Sequence, residues 1–212
     1  MKLLMLYGVN CTKDIWNEFS PYLKKYEVDY VEYPHEVTEK ANRVDDITKW
    51  VYDTYHGQSY DAVIGHSLGG IIALQLASEY NMNFRKIIFL DTNLKPANEF
   101  YRNLMTPGHM EQYGKDILPM FQEERKYYTQ ALFEQLQGEF DYTYYLNNIN
   151  EKVYGVYGDR NMPEYKNKME DLNLSDETLG RLELKFISNA CHMIMIENPH
   201  DLFFTLEPIL EN

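Results

Sequence analysis

Ser67, Asp159 and His192 are the side chains in this 212-residue chain whose types and order could transfer an acyl group. A serine hydroxyl is a weak nucleophile near neutral pH. It needs an adjacent base to take its proton, and the base needs a third group to orient it. Histidine suits the base role because its ordinary pKa lies near neutrality. A carboxylate beside the imidazole fixes its tautomer and stabilises its charged form. Ser67 lies inside Gly65-His66-Ser67-Leu68-Gly69, which fits G-x-S-x-G. Before it, Ala62-Val63-Ile64 reads as a buried strand; after it, Ile71-Ile72-Ala73-Leu74-Gln75-Leu76-Ala77 reads as a buried helix. A strand turning sharply into a helix projects its middle side chain from the sheet edge, and glycines two before and two after remove β-carbons that would collide. The helix start adds unpaired N–H groups and a positive dipole end, both suited to a developing oxyanion.

The elements that must position these residues follow from the hydrophobic pattern. Leu3–Tyr7, Val28–Tyr33, Lys86–Asp91, Lys152–Tyr157 and Leu182–Ile187 join Ala62–Ile64 as six strand-like runs. Helical spacing predicts an amphipathic helix over about Thr38–Tyr55, further helices over Gln122–Gln137, Tyr165–Leu172 and Pro199–Leu210, and a start near Lys13 that Pro21 interrupts. Strands alternating with helices predict an α/β fold: a three-layer α/β/α sandwich around a mainly parallel sheet of about six strands, in a single domain spanning 1–212. From 93 to 150 strong β runs are missing while Tyr, Met, Gln and Glu abound, so this segment reads as a helical lid insertion. In such sheets ligands gather at the carboxyl ends of strands, where Val9, Ser67, Asp91, Asp159 and His192 all stand.

Together these stretches resemble the α/β-hydrolase fold family of serine esterases and lipases. The resemblance rests on Gly65-His66-Ser67-Leu68-Gly69-Gly70, then Tyr157-Gly158-Asp159, then Cys191-His192 with Glu197-Asn198-Pro199 beyond it. It implies a compact member without the first two strands of larger relatives. It also implies that Ser67 is the nucleophile, His192 the base and then the acid, and Asp159 the orienting carboxylate. The backbone N–H groups of Leu68 and Val9 would form the oxyanion hole, with Asn10 the alternative to Val9. Asp91, after the preceding strand, competes with Asp159 for the carboxylate role. Tyr7, Asn10, His66, Tyr101 and Met105 are placed as substrate contacts. Tyr101, Met105, Met110, Tyr113, Met120, Phe121, Tyr127 and Tyr128 could line an acyl pocket or simply pack the lid.

The expected activity is hydrolysis of carboxylic esters or thioesters of small to medium acyl groups through an acyl-enzyme. An amidase, peptidase, carbon–carbon hydrolase or acyltransferase would use the same residues, and a non-catalytic ligand-binding protein could keep the fold. A net charge of −13 argues against nucleic acid or an anionic membrane as partner. Neither a metal nor a cofactor is expected: the two cysteines, Cys11 and Cys191, have no metal-ligand spacing and read as reduced cytoplasmic thiols. The apolar start Met1–Tyr7 reads as a core strand rather than a leader. The pattern specifies no oligomeric state.

Overall fold

The computed structural model describes all residues 1–212. Six parallel strands form one sheet: β1 (Lys2–Leu6), β2 (Glu27–Tyr30), β3 (Ala62–His66), β4 (Lys86–Leu90), β5 (Val153–Gly158) and β6 (Leu182–Ile187), in the order β2-β1-β3-β4-β5-β6. Every residue of β3 and β5 is buried, as are four of five in β1 and β4. Strands buried on both faces read as continuous apolar runs, which is how they stand in the sequence. The outer strands β2 and β6 are only half covered, and β6 carries Glu183 and Lys185 on its exposed edge.

The helices are α1 (His35–Thr38), α2 (Val44–Tyr55), α3 (Leu68–Ser78), α4 (Glu99–Arg102), α5 (Pro107–Glu124), α6 (Gln130–Gln137), α7 (Asp176–Gly180), α8 (Ile194–Glu197) and α9 (Pro199–Glu211). Almost all of α3 is buried, and it packs on β3, β4 and α2. Its one long polar side chain, Gln75, is satisfied: Thr48 Oγ1 donates to its carbonyl at 2.7 Å, and its amide donates to Asp45 at 2.9 Å.

Three predicted helices differ in extent. The run expected over Thr38–Tyr55 starts later, at Val44: α1 ends at Thr38, and the Asp46 carboxylate accepts from the N–H groups of Asn42 and Arg43 and starts α2 afresh. The stretch between β4 and β5 holds α4, α5 and α6 and no strand, but α5 begins at Pro107, well before the expected start near Gln122. Thr106 caps it, accepting from His109 N–H, with Pro107 in the first turn. Pro119 inside α5 masks its continuity in the sequence. The expected helix over Tyr165–Leu172 is reduced to one 3₁₀ turn at Glu170–Leu172. At the N-terminal side, Lys13–Trp16 and Ser20–Leu23 are also 3₁₀ turns.

Strand order turns back on itself between β1 and β3, so their carboxyl ends open a crevice. The loop after β1 and the turn after β3 face each other there.

Candidate active site

Ser67 occupies the turn from β3 to α3 with φ 53° and ψ −119°. That conformation is strained for any residue bearing a β-carbon. The backbone is held there from two sides: Ser67 N–H donates to Leu90 O at 3.0 Å, and Thr92 Oγ1 donates to Ser67 O at 2.9 Å. A β-carbon on Gly65 would lie 2.1 Å from Gly69 O, so the glycines of the motif are required by close approach. One on Gly8 would lie 2.8 Å from the Ser67 β-carbon, which shows how tightly the β1 loop crosses the turn.

Leu68 opens α3, so its N–H has no intrahelical acceptor. Val9, Asn10, Ser67, Leu68 and His192 all line one cavity of about 620 Å³. Its apolar wall is built by Ile71 of the body and by Phe121, Phe133, Leu136 and Phe140 of the segment between β4 and β5. Two buried side-chain oxygens among the lining residues, Asn10 Oδ1 and Asn93 Oδ1, have no hydrogen-bond partner.

His192 follows β6 and is held at both ends of its own backbone. Its N–H donates to Leu104 O at 3.1 Å, and its carbonyl accepts from His66 Nε2 at 3.0 Å. The carboxylate on its ring is Asp91, not Asp159: His192 Nδ1 lies 3.0 Å from Asp91 Oδ1. A ring that donates Nδ1–H to a carboxylate leaves Nε2 free as a base. Arg160 grips the same carboxylate, donating from Nη1 to Oδ2 at 2.6 Å and from Nη2 to Oδ1 at 2.7 Å. Gly158 N–H donates to Oδ2 at 3.0 Å. Burial alone would raise the Asp91 carboxyl. Arg160, by charge and hydrogen bonds, together with His192, outweighs it and holds the group well below the usual carboxylate range.

The expected role of Asp159 is therefore corrected. Its Oδ1 accepts from Asn161 N–H at 2.9 Å, and its carbonyl accepts from Met162 N–H at 2.9 Å. Arg160 and Asn161 have φ values of 55° and 59°. Asp159 thus caps a tight left-handed turn that folds Arg160 back onto Asp91. Its other oxygen, Oδ2, is buried without a partner.

Three expected substrate contacts lie elsewhere. Tyr7 is buried, and its hydroxyl accepts from Tyr33 N–H at 2.7 Å. His66 is buried as the donor to the His192 carbonyl and does not line the cavity. Burial, reinforced by neighbouring His192, pushes its pKa down to about 3, so the ring is neutral. Met105 packs on the core, and the cavity meets Leu104 instead. Asn10 and Tyr101 do line it, the latter with its hydroxyl donating to Lys168 O at 2.9 Å. Of the other aromatic and Met side chains named for the pocket, Phe121 lines it, while Met110, Tyr113, Met120, Tyr127 and Tyr128 do not. Cys11 and Cys191 are both buried free thiols. Sequence reasoning missed Arg160. The only signal was an arginine directly after a strand and an aspartate.

The fold is shared with known proteins. A family model described as alpha/beta hydrolase fold matches residues 38–140. A hydrolase from Oleispira antarctica superposes with a TM-score of 0.77 at 15% identity, over 100% of this chain and 91% of that one. This chain has the α/β-hydrolase fold. An α/β-hydrolase of the same build, the esterase RhEst1 from Rhodococcus sp. ECU1013, superposes with a TM-score of 0.74 at 11% identity, over 100% of this chain and 90% of that one. In sequence, an uncharacterized protein of Nostoc sp. (strain PCC 7120) is 22% identical over 174 residues, spanning 70% of this chain and 67% of that protein. In this fold Ser67 stands at the turn from β3 into α3, at the carboxyl end of the sheet.

Proposed function

We propose that the protein is a serine hydrolase cleaving carboxylic esters or thioesters of small to medium acyl groups, with Ser67 as nucleophile, His192 as base and Asp91 as orienting carboxylate. The observation that carries this reading is the pairing of a strained Ser67, φ 53°, with a His192 whose Nδ1 is engaged by Asp91, both opening on one cavity. The esterase and hydrolase of the same fold support it.

In this reading Ser67 Oγ attacks the acyl carbonyl while His192 Nε2 takes its proton. The resulting oxyanion lies against the N–H groups of Leu68 and Val9. Such donors are each worth about 3–4 kcal/mol of barrier. The imidazolium then protonates the leaving alcohol or thiol, and water activated by the same ring releases the acid. Asp91 stays ionised throughout, because Arg160 shares its charge. The wall of Phe121, Phe133, Leu136 and Phe140 accommodates the acyl chain, and about 620 Å³ falls within the range of small-ligand pockets.

A fluorophosphonate probe tests the assignment. Labelling at Ser67 that disappears in Ser67→Ala and His192→Ala supports it. A folded protein that takes no label would instead be a ligand-binding member of the fold. Hydrolysis of p-nitrophenyl esters and acyl-CoAs of graded length then reads the acyl range.

A further inference from the structure

A second group of side chains with chemical potential lies next to His192 and outside the cavity. His109, in the first turn of α5, places Nδ1 2.6 Å from Cys191 Sγ. Glu197, at the end of α8, places Oε1 3.7 Å from the same Nδ1. One donor atom from each of the three lies within 4.8 Å of the others. The residues are 7%, 0% and 6% exposed respectively, and none of them lines the cavity.

The state of Glu197 marks this cluster as more than packing. Its Oε2 accepts from Cys191 N–H at 2.6 Å, but Oε1, aimed at the histidine, has no hydrogen-bond partner. A buried carboxylate oxygen left so is costly unless something positive meets it. We propose that His109, Cys191 and Glu197 form a binding site for a divalent cation of the zinc class.

The chemistry of the set decides the class. Imidazole, thiolate and carboxylate together suit Zn²⁺, whereas a sulfur ligand disfavours Mg²⁺ and Ca²⁺. One thiolate and one carboxylate neutralise a dication, so the occupied site carries no net buried charge. Tetrahedral zinc ligands stand roughly 3.3–3.7 Å apart. The Glu197–His109 separation of 3.7 Å already matches, and the Cys191–His109 pair has to open by about 1 Å on binding. Thr106 Oγ1, 3.9 Å from Sγ, or a water completes the fourth position. Tyr113, one turn after His109 on α5, donates from its hydroxyl to Glu197 O at 2.9 Å and supports the ligand from behind. Occupancy ties α5 to the backbone that carries His192.

The test is a titration of the full-length, chelator-treated protein with Co²⁺ and then Zn²⁺, with no substrate present, so its outcome is independent of the hydrolase assignment. About one equivalent of Co²⁺ should bind and produce a thiolate-to-cobalt charge-transfer band that Zn²⁺ abolishes. Cys191→Ser should lose the band, His109→Ala and Glu197→Gln should each weaken affinity by at least about tenfold, and Cys11→Ser should keep both band and affinity. Circular dichroism on each variant separates loss of binding from loss of fold. A folded wild-type protein that develops no such band, or a band that survives in Cys191→Ser, overturns the proposal.

Discussion

Arg160 holds both carboxylate oxygens of Asp91, one of which is also the acceptor for His192. The carboxylate that orients the His192 imidazole is thus itself oriented, by the guanidinium of a residue that is 2% exposed. A bidentate grip of this kind fixes the plane of the carboxylate, and with it the direction in which the imidazole points.

Asp91→Asn should therefore lower kcat by about 10³–10⁴-fold, because an amide can select the wrong imidazole tautomer and cannot stabilise the imidazolium. Asp159→Asn should leave kcat within about tenfold of wild type and appear mainly as a loss of stability from its capped turn. Ester hydrolysis and urea unfolding of both variants check this. The opposite ranking would return the carboxylate role to Asp159.

Removing the guanidinium leaves an uncompensated buried charge. Arg160→Gln should destabilise the fold by about 3–5 kcal/mol in denaturant unfolding. Combining it with Asp91→Asn should cost less than the sum of the single changes, because neither charge is then stranded. Additive losses would show that the two groups do not act as a pair.

Stability should fall as pH drops through the range that separates folded from unfolded His66. The native ring stays neutral down to about 3, while an unfolded histidine takes a proton below about 6.5. Between these limits the unfolded chain binds more protons, so stability rises with pH there and is lost on acidification. His192 and Asp91 face this ring; the first opposes its protonation and the second favours it. His66→Gln, which keeps a donor for the His192 carbonyl, should flatten the dependence between about pH 6.5 and about pH 3. His109 shifts in the same direction, but it is present in both proteins and cancels from the comparison. Superimposable pH profiles for the two would refute the assignment.

Ser67→Gly should abolish esterase activity while raising stability by about 1 kcal/mol. Glycine relieves a backbone strain of about 1–3 kcal/mol and gives back about 0.5–1 kcal/mol through the freedom of the unfolded chain. Thermal melting of Ser67→Gly against Ser67→Ala, which keeps the strained β-carbon, isolates the backbone contribution. Equal melting temperatures would show that the turn is not strained.

The sheet was legible because its inner strands are buried on both faces and announce themselves as apolar runs between turns. The turn at Ser67 was legible for a related reason: close packing there dictates glycine at residues 65 and 69. The carboxylate was not. Asp91 and Asp159 both leave adjacent strands at the same sheet edge, and their order relative to Ser67 and His192 is the same. What separates them is the left-handed turn at Arg160 and Asn161 and the long reach of one guanidinium, neither of which has a periodic signature. The helix α5 escaped notice because Gly108, Gly114 and Pro119 are read as breaks, while the Thr106-Pro107 start that overrides them is short. Side chains expected as substrate contacts, such as Met105 and Tyr7, lie elsewhere for a similar reason. Nothing local tells a wall of a cavity from a wall of the core.

The amide of His192 hangs from the carbonyl of Leu104, which lies just ahead of α5. The imidazole of His192 and the segment between β4 and β5 are in this sense one mechanical part. A displacement of that segment would carry the imidazole with it, so on the proposed reading an opened chamber would also be a disarmed one. A different segment grafted between β4 and β5 would then have to supply a carbonyl at the same place to hold His192.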